Sequence, residues 1–590
     1  MNKNNIKLKD DDIKYLKDRN MSILDFNNRV LMMACEINTP LIERLNFIKI
    51  VFSNLDEFIS VRLPEATKVE HDEYILYIQH LYDDMNKIFN TNLKLGNVSY
   101  EYTDYEAKTS NNKSFNDGEI YYVALLSNQE FILYRYNYLG KASMDSLIEF
   151  QSPNTKIEYS FLVRFISDKS FRYIYSGEGI TTVLEEIRNI VKIKENVVFT
   201  HIQTTCENEL IMNKFIEYIH LDFSGVFVLT EELIQINAIM KFITNQYKNR
   251  EYYYPKYNPI YTKRNYYNEL LERDIIVYNP FISYDEVLDF IRQMCLNPNI
   301  TSIFITLYRS LGNSVILNSL IDAKKLGKEV FVYVEPTARG NEEENVEIIE
   351  KLLENGIIVR CNYFNYKIHS KLFLAVDKSE KLYAHVGTGN YNEKTVKCYT
   401  DLHILTADYD ICKSIYSLFK GIFYKTMVSI IKNEVSKFDD LILAPITLRP
   451  SVLGLIENEI HKGMGGRIYI KCNSLCDKTI IEALYKAAAN NVDVKLLVRT
   501  AVGILPADNL EIKSKVGRFL EHERIYIFGD NVYITSADLL LRNIDKRIEA
   551  MCRIKDPFNK EFIKEIFFKK WESSNAFNLK QSPLRWIKGN

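Results

Sequence analysis

Residues 367–392 carry the residue types that phosphate chemistry needs. Lys367-Ile-His369-Ser-Lys371 sets a histidine and a lysine two residues apart, at the head of the apolar run Leu372–Asp377. Strand alternation predicts that His369 and Lys371 share one face of one strand, a nitrogen nucleophile beside a fixed positive charge. A second apolar run leads into Gly387-Thr-Gly-Asn-Tyr-Asn392, a glycine-bracketed turn holding two asparagines. Neutral imidazole is abundant near pH 7, and a phosphoramidate keeps a high transfer potential, so a histidine can take a phosphoryl group and pass it on. Positioning and cations around the phosphate oxygens supply most of the catalysis in such a step. The cations on offer are Arg309 after Thr-Leu-Tyr, Arg339, Lys371 and Arg499. Further along the chain come Arg518, Arg524, Arg542 and Arg547. Histidines 71, 80, 201, 220, 385, 403 and 461 read as structural or surface residues.

Other chemistries are excluded or left without a carrier. No G-x-x-x-x-G-K-[ST] loop and no protein-kinase signature occurs, so a nucleotide would have to be held in some other way. The formal net charge of −2 announces no global basic field, and a polyanion site must be a local cluster. The nine cysteines are scattered without a CxxC pair, which predicts buried thiols in a reducing compartment. The beginning of the sequence has no apolar targeting core, and no run of about 18 apolar residues occurs. The expectation is a cytoplasmic protein, at most peripheral to the inner face of a membrane.

The elements that must position these residues change character along the chain. Residues 1–92 read as a helical domain, with Ser22 as an N-cap, a restart at Thr39-Pro40, and the polar cluster Asn54, Asp56 and Glu57 closing that helix. Residues 93–268 read as an α+β domain, with strands near 120 and 131 and helices near 180–195 and 205–220. Residues 269–435 and 436–590 each alternate short apolar strands with helices, the pattern of an α/β domain. The last two segments are alike in detail. Lys367-Ile-His-Ser-Lys371, a strand, a turn and Gly-Thr-Gly-Asn match Leu520-Glu-His-Glu-Arg524, a strand, a turn and Ser536-Ala-Asp538 with Arg542-Asn543. This predicts a degenerate internal duplication, with His369 and His522 on opposite sides of one site.

His-x-Lys with a downstream Gly-x-Gly-Asn resembles the HKD motif of the phospholipase D superfamily. Several blocks in order resemble the bacterial long-chain polyphosphate kinases: Phe26-Asn-Asn-Arg-Val-Leu31, Ser53-Asn-Leu-Asp-Glu-Phe58, Thr306-Leu-Tyr-Arg309, Tyr399-Thr-Asp401 and Val516-Gly-Arg-Phe-Leu-Glu-His522. The resemblance implies a multidomain α/β protein with a helical N-terminal domain, an α+β head domain and two related phospholipase D-like α/β C-terminal domains. It implies reversible transfer of the terminal phosphate of ATP to inorganic polyphosphate through a phosphohistidine at His369, with ATP and ADP as substrates and Mg²⁺ as cofactor. Lys371 and His522 would assist. Asn54, Tyr399, Arg499 and His522 match nucleotide-contacting positions, and Arg309 and Arg339 match positions associated with magnesium. A guanidinium cannot ligate a cation, so those two are expected to act through phosphate or water. Arg518, Arg524, Arg542 and Arg547 are candidates for holding polyphosphate, and a homodimer or homotetramer is implied. After Arg499 the segment Thr500–Pro506 is shorter than is usual in the family, which leaves open how the nucleotide is held there. Two other readings remain: an HKD phosphodiesterase acting on phospholipid or nucleic acid, and a non-catalytic polyanion-binding protein.

Overall fold

The computed structural model describes residues 18–96, 98, 116–135, 156–169, 185, 199–219, 227–230, 232–308, 314–335, 342–361, 366–424, 440–573 and 576–578. The chain divides into two compact units. One comprises Leu24–Tyr173 and Ile193–Lys256; the other comprises Met1–Ile23, Ile174–Lys192 and Tyr257–Asn590.

In the first unit, helices Leu41–Val61 and Lys68–Leu95 pack beside a five-stranded sheet. The sheet comprises β1 (Ile120–Leu126), β2 (Phe131–Arg135), β3 (Ile157–Ser167), β4 (Phe199–Thr204) and β5 (Phe227–Thr230), in the order β2-β1-β3-β4-β5. Thr67 and Glu70 form a reciprocal capping box that starts the second helix, whose buried stripe includes Tyr74, Ile78, Leu81, Met85 and Phe89. The polar cluster at 54–57 does not end its helix, which runs on to Val61. Asp56 instead pairs with Arg164 of β3 at 2.6 Å, a tertiary contact invisible to local patterning. The predicted helix near 180–195 falls almost wholly outside the described residues.

The second unit holds two sheets of one topology. The first domain contributes β6 (Ile275–Asn279), β7 (Ile300–Leu307), β8 (Glu329–Val334), β9 (Ile358–Arg360), β10 (Lys367–Ile368), β11 (Lys371–Asp377), β12 (Leu382–Gly387) and β13 (Tyr399–Thr406). The second contributes β14 (Leu441–Ala444), β15 (Arg467–Leu475), β16 (Asp493–Val502), β17 (Leu510–Lys515), β18 (Leu520–Glu521), β19 (Ile525–Phe528), β20 (Asn531–Thr535) and β21 (Arg547–Ile554), and β22 (Ala576–Asn578) adds to β17. The order β9-β8-β7-β11-β12-β13-β6 recurs as β17-β16-β15-β19-β20-β21-β14. Helices Asp285–Leu296, Val315–Lys325 and Glu342–Glu354 connect the first set, and Leu448–His461 and Lys478–Ala489 the second. One apolar cluster runs through both domains, from Phe304, Leu374 and Ile404 to Ile527, Ile534 and Ala550.

Two short strands break this separation. β10 leaves the first domain and pairs in parallel with β21 of the second, Lys367 opposite Arg547 and Ile368 opposite Ile548. β18 leaves the second and pairs in parallel with β13 of the first, Tyr399 opposite Leu520 and Thr400 opposite Glu521. His369 and Lys371 therefore do not sit on one strand as alternation predicts. The chain crosses from one sheet to the other between them.

β18 is anchored by buried charge. Lys471 lies 3.2 Å from Glu521 and 3.0 Å from Glu523, and Lys570 pairs with both carboxylates. Lys471 is only 2% exposed. Removing one partner of such a network leaves buried charge uncompensated. The change Lys471→Met is expected to cost about 3–5 kcal/mol, measured as a lowered urea midpoint at unchanged slope.

Candidate active site

The strand exchange delivers each histidine to a carboxylate of the opposite domain. Beyond the β10–β21 pairing, the His369 amide donates to the Ile548 carbonyl (2.9 Å), and the next residue of β21 is Glu549. Its Oε2 lies 2.9 Å from His369 Nδ1. Beyond the β18–β13 pairing, the His522 amide donates to the Thr400 carbonyl (3.3 Å), and the next residue of β13 is Asp401. Its Oδ1 lies 2.8 Å from His522 Nδ1. The carboxylates are themselves fixed alike: Thr388 Oγ1 donates to Asp401 (2.6 Å), and Ser536 Oγ donates to Glu549 (2.6 Å). Those hydroxyls accept from the next backbone amides, Leu402 (3.0 Å) and Ala550 (3.1 Å).

A carboxylate on Nδ1 holds the proton there and leaves the lone pair on Nε2. Burial, followed by the charges of Lys371, Arg547 and Arg524, pushes His369 well below the ordinary imidazole value, so it is neutral at pH 7. His522 is lowered as well, chiefly by burial. Glu549 is raised by burial. Asp401 is held at about 2: burial opposes its ionisation, but His522 and Thr388 outweigh it. Burial lowers Lys371 to about 7. Its ammonium donates to the His369 carbonyl, as Arg524 does to the His522 carbonyl (2.8 Å).

Aromatic rings complete both sides. Tyr308 meets His369 edge to face, with ring centroids 5.0 Å apart, and lies within 5.5 Å of the Lys367 and 5.6 Å of the Lys371 ammonium groups. Tyr399 lies 5.5 Å from the His522 ring. Arg499 sits within β16, which extends past the predicted strand end, and burial lowers it to about 10. The short segment after it is pinned. The Gly503 amide donates to the Leu475 carbonyl (2.7 Å), and the Tyr485 hydroxyl bridges the amide and carbonyl of Leu505 (2.9 Å each).

The turn at 387–392 is framed from behind by buried side chains. Tyr391, His385, His403 and Asn279 form a hydrogen-bonded chain with contacts of 2.6, 2.9 and 2.7 Å. Asn279 also holds the Tyr399 carbonyl (3.0 Å). A Cβ on Gly389 would collide with the Asp401 carboxylate, so glycine is required for this close approach. Asn392 caps the next turn through the Lys394 and Thr395 amides.

The structure thus gathers His369, Lys371, Tyr399, Arg499, His522 and Arg524 in one unit. Arg547 approaches Glu549 at 4.0 Å, Arg518 lies over the Phe519 ring, and Arg542 is exposed on the short helix Leu541–Asp545. The guanidinium of Arg524 is engaged by Asp538 (3.0 Å). Asn54 belongs to the other unit, where it donates to Asn27 (2.9 Å). Arg309 and Arg339 lie outside the described residues. Ser22 does not cap its helix, which starts at Arg19; its hydroxyl accepts the Val502 amide (2.6 Å), and Asp18 accepts the Met21 amide (2.7 Å) in the capping position. Glu549, Asp401, Thr388, Ser536 and Tyr308 escaped assignment as functional residues. The pairing register is what reveals the first four, although Tyr399-Thr-Asp401 had been noted as a block. Among the described residues, the acidic group compact enough for a metal is Asp408, Asp410 and Asp440, and Lys555 already bridges it at 2.8, 3.5 and 3.2 Å.

The paired α/β domains each hold a buried histidine oriented from the opposite half. Family models for the polyphosphate kinase N-terminal domain, C-terminal domain 1 and C-terminal domain 2 match residues 16–95, 265–427 and 441–584. A polyphosphate kinase of Staphylococcus epidermidis is 31% identical over 92% of this chain and 85% of its own length. One of Pseudomonas aeruginosa is 27% identical over 92% and 90%. The crystal structure of a polyphosphate kinase from Porphyromonas gingivalis superposes with a TM-score of 0.78 at 21% identity, covering 95% of this chain and 94% of that one. The chain belongs to the polyphosphate kinase family.

If Glu549 sets the His369 tautomer, Glu549→Gln should slow phosphorylation of the protein roughly 10²- to 10⁴-fold. Rapid-quench kinetics with labelled ATP, alongside an unchanged thermal melt, would check this.

Proposed function

We propose that His369 carries the phosphoryl group between ATP and polyphosphate. The family's reaction is the synthesis of polyphosphate from ATP, and a phosphodiesterase reading is not favoured. The observation that carries the residue assignment is the Glu549–His369 contact beside Lys371: a neutral imidazole with its proton committed at Nδ1, Nε2 free, and an ammonium on its own backbone. Lys371 stabilises charge on the phosphoryl oxygens. His522, oriented by Asp401, acts as an acid, base or orienter on the facing side. Tyr399 offers a ring for the nucleobase and Arg499 a buried guanidinium for its phosphates. Arg518, Arg542 and Arg547 supply positive charge for the polyphosphate chain.

Magnesium, in this proposal, comes with the nucleotide. Glu549 and Asp401 are each committed to a histidine and a hydroxyl, which does not make a protein cage for the ion. Arg309 and Arg339 would then contact phosphates that carry it. The domain limits 92, 268 and 435 and assembly as a homodimer or homotetramer belong to the same proposal. So does a cytoplasmic location; among the described residues no helix is long and apolar enough to cross a membrane.

Wild-type protein given γ-labelled ATP should acquire an acid-labile, alkali-stable phosphate, and His369→Ala should acquire none and make no polyphosphate. Equal polyphosphate from both proteins would remove His369 from the pathway. The pH profile tests Lys371. Its charge is lost as pH rises through about 7 in the free enzyme, so kcat/KM for ATP should fall on the alkaline side of that value. Lys371→Arg should shift that limb to higher pH.

A further inference from the structure

We propose that Asn390 and Asp538, equivalent residues of the two halves, decide which of the two histidines accepts the phosphate. This rests on the reading of His369 as the carrier. The equivalence follows from register. Lys371 lies opposite Gly387 in the β11–β12 pair, and the Arg524 carbonyl accepts the Thr535 amide (3.2 Å), which sets Arg524 opposite Thr535. Thr388 and Ser536 follow, each bound to the carboxylate that serves a histidine. Two residues further on stand Asn390 and Asp538.

Local geometry treats the two histidines alike, with an Nδ1 carboxylate and a motif cation on the histidine's own carbonyl. Charge does not. On the His522 side, Arg524 Nη2 lies 3.0 Å and Nε 3.3 Å from the two carboxylate oxygens of Asp538. Its remaining nitrogen donates to the His522 (2.8 Å) and Thr388 (3.4 Å) carbonyls and lies 3.2 Å from His522 Nε2. Asp538 is fixed by the Asn473 (2.7 Å) and Ser474 (3.2 Å) amides, and it is held at about 2 because Arg524 and these bonds outweigh burial. The cation beside His522 is therefore neutralised before substrate arrives. On the His369 side the equivalent group is a neutral amide: Lys371 feels the charge of Glu549, as Arg524 feels that of Asp401, but among the described residues no carboxylate lies within ion-pair distance of its ammonium as Asp538 does for Arg524. The Oδ1 of Asn390 is buried without a hydrogen-bond partner.

Two further exchanges tilt the site the same way. β10 carries Lys367 where β18 carries Leu520, and β21 carries Arg547 where β13 carries Tyr399. These exchanges place two more cations on the His369 side where a ring and an aliphatic chain stand on the His522 side, whose own cations are Arg524 and the buried Arg499. In the transfer, the Nε2 lone pair attacks the γ-phosphorus and an N–P bond forms. The bond from phosphorus to the β,γ-bridging oxygen breaks, and its electron pair leaves with ADP. The Nδ1 proton stays on the bond to the carboxylate. The three outer phosphoryl oxygens keep their negative charge throughout, so a cation beside the histidine with no carboxylate in ion-pair contact favours the step more than one already paired. Asp538 thus acts on specificity through Arg524.

Labelling with γ-labelled ATP, followed by mapping of the phosphopeptide at alkaline pH, tests the proposal. His369→Ala should be unlabelled. His369→Ala combined with Asp538→Asn should gain acid-labile phosphate on His522, at least about tenfold above the single variant. Asn390→Asp, which introduces a carboxylate at the position equivalent to Asp538 and is nearly isosteric, should lower labelling of His369 by roughly 10²-fold at an unchanged melting temperature. Wild-type labelling of Asn390→Asp overturns the proposal, and so does a folded double variant with no phosphate on His522. If the double variant does not fold, Asn390→Asp decides alone. Full labelling of the single variant His369→Ala would instead overturn the carrier assignment, and the proposal with it.

Discussion

The reciprocal exchange of β10 and β18 is the constraint on which the catalytic unit depends. Each strand is only two residues long and could not hold its place on intrinsic propensity. Each is held because it completes the edge of a sheet built by the other domain, and because its flanks are tied down. β18 is tied by the buried Lys471–Glu521–Glu523–Lys570 network. β10 is tied by the Ile368 amide on Glu335 (3.0 Å) and by the Ser370 carbonyl on Thr306 (2.8 Å). Because the pairing register sets which residue comes next, a slip of one position would part His369 from Glu549 and His522 from Asp401. Domain docking and site assembly are one event.

That arrangement explains the electrostatics. The site is dry enough to push both histidines below the ordinary imidazole value. Burial lowers His369 and Lys371 and raises Glu549, while hydrogen bonds and the neighbouring imidazole hold Asp401 down. A low dielectric strengthens any charge placed there, so a buried lysine weighs more in the local electrostatics than exposed ones would. Duplication supplied two equivalent cradles. Single-residue differences at equivalent positions (Asn390 and Asp538, Tyr399 and Arg547, Leu520 and Lys367) give them unequal charge.

Much of this was legible in the order of residues. Short apolar strands alternating with helices fixed the α/β class of residues 269–590. The helical start, the mixed segment after it and the duplication followed from local composition and recurring motifs, because periodicity and turn chemistry are properties of neighbours along the chain. His369, Lys371 and His522 stood out through residue type and spacing alone, and the resemblance to polyphosphate kinases extended that to Tyr399 and Arg499.

Tertiary structure decided the rest. Alternation placed His369 and Lys371 on one strand, but the chain changes sheets between them, and no local pattern records which sheet a two-residue strand will join. Ser22 and Asp56 have the chemistry of helix ends and spend it instead on Val502 and Arg164, partners 480 and 108 residues away. Glu549 and Asp401 look like ordinary strand carboxylates until the register sets them against histidines 180 and 121 residues away. Sequence by itself determined which groups could do the chemistry. Only the fold determined which are neutral, which are compensated and which face one another, because burial and long-range pairing belong to no single stretch of the chain.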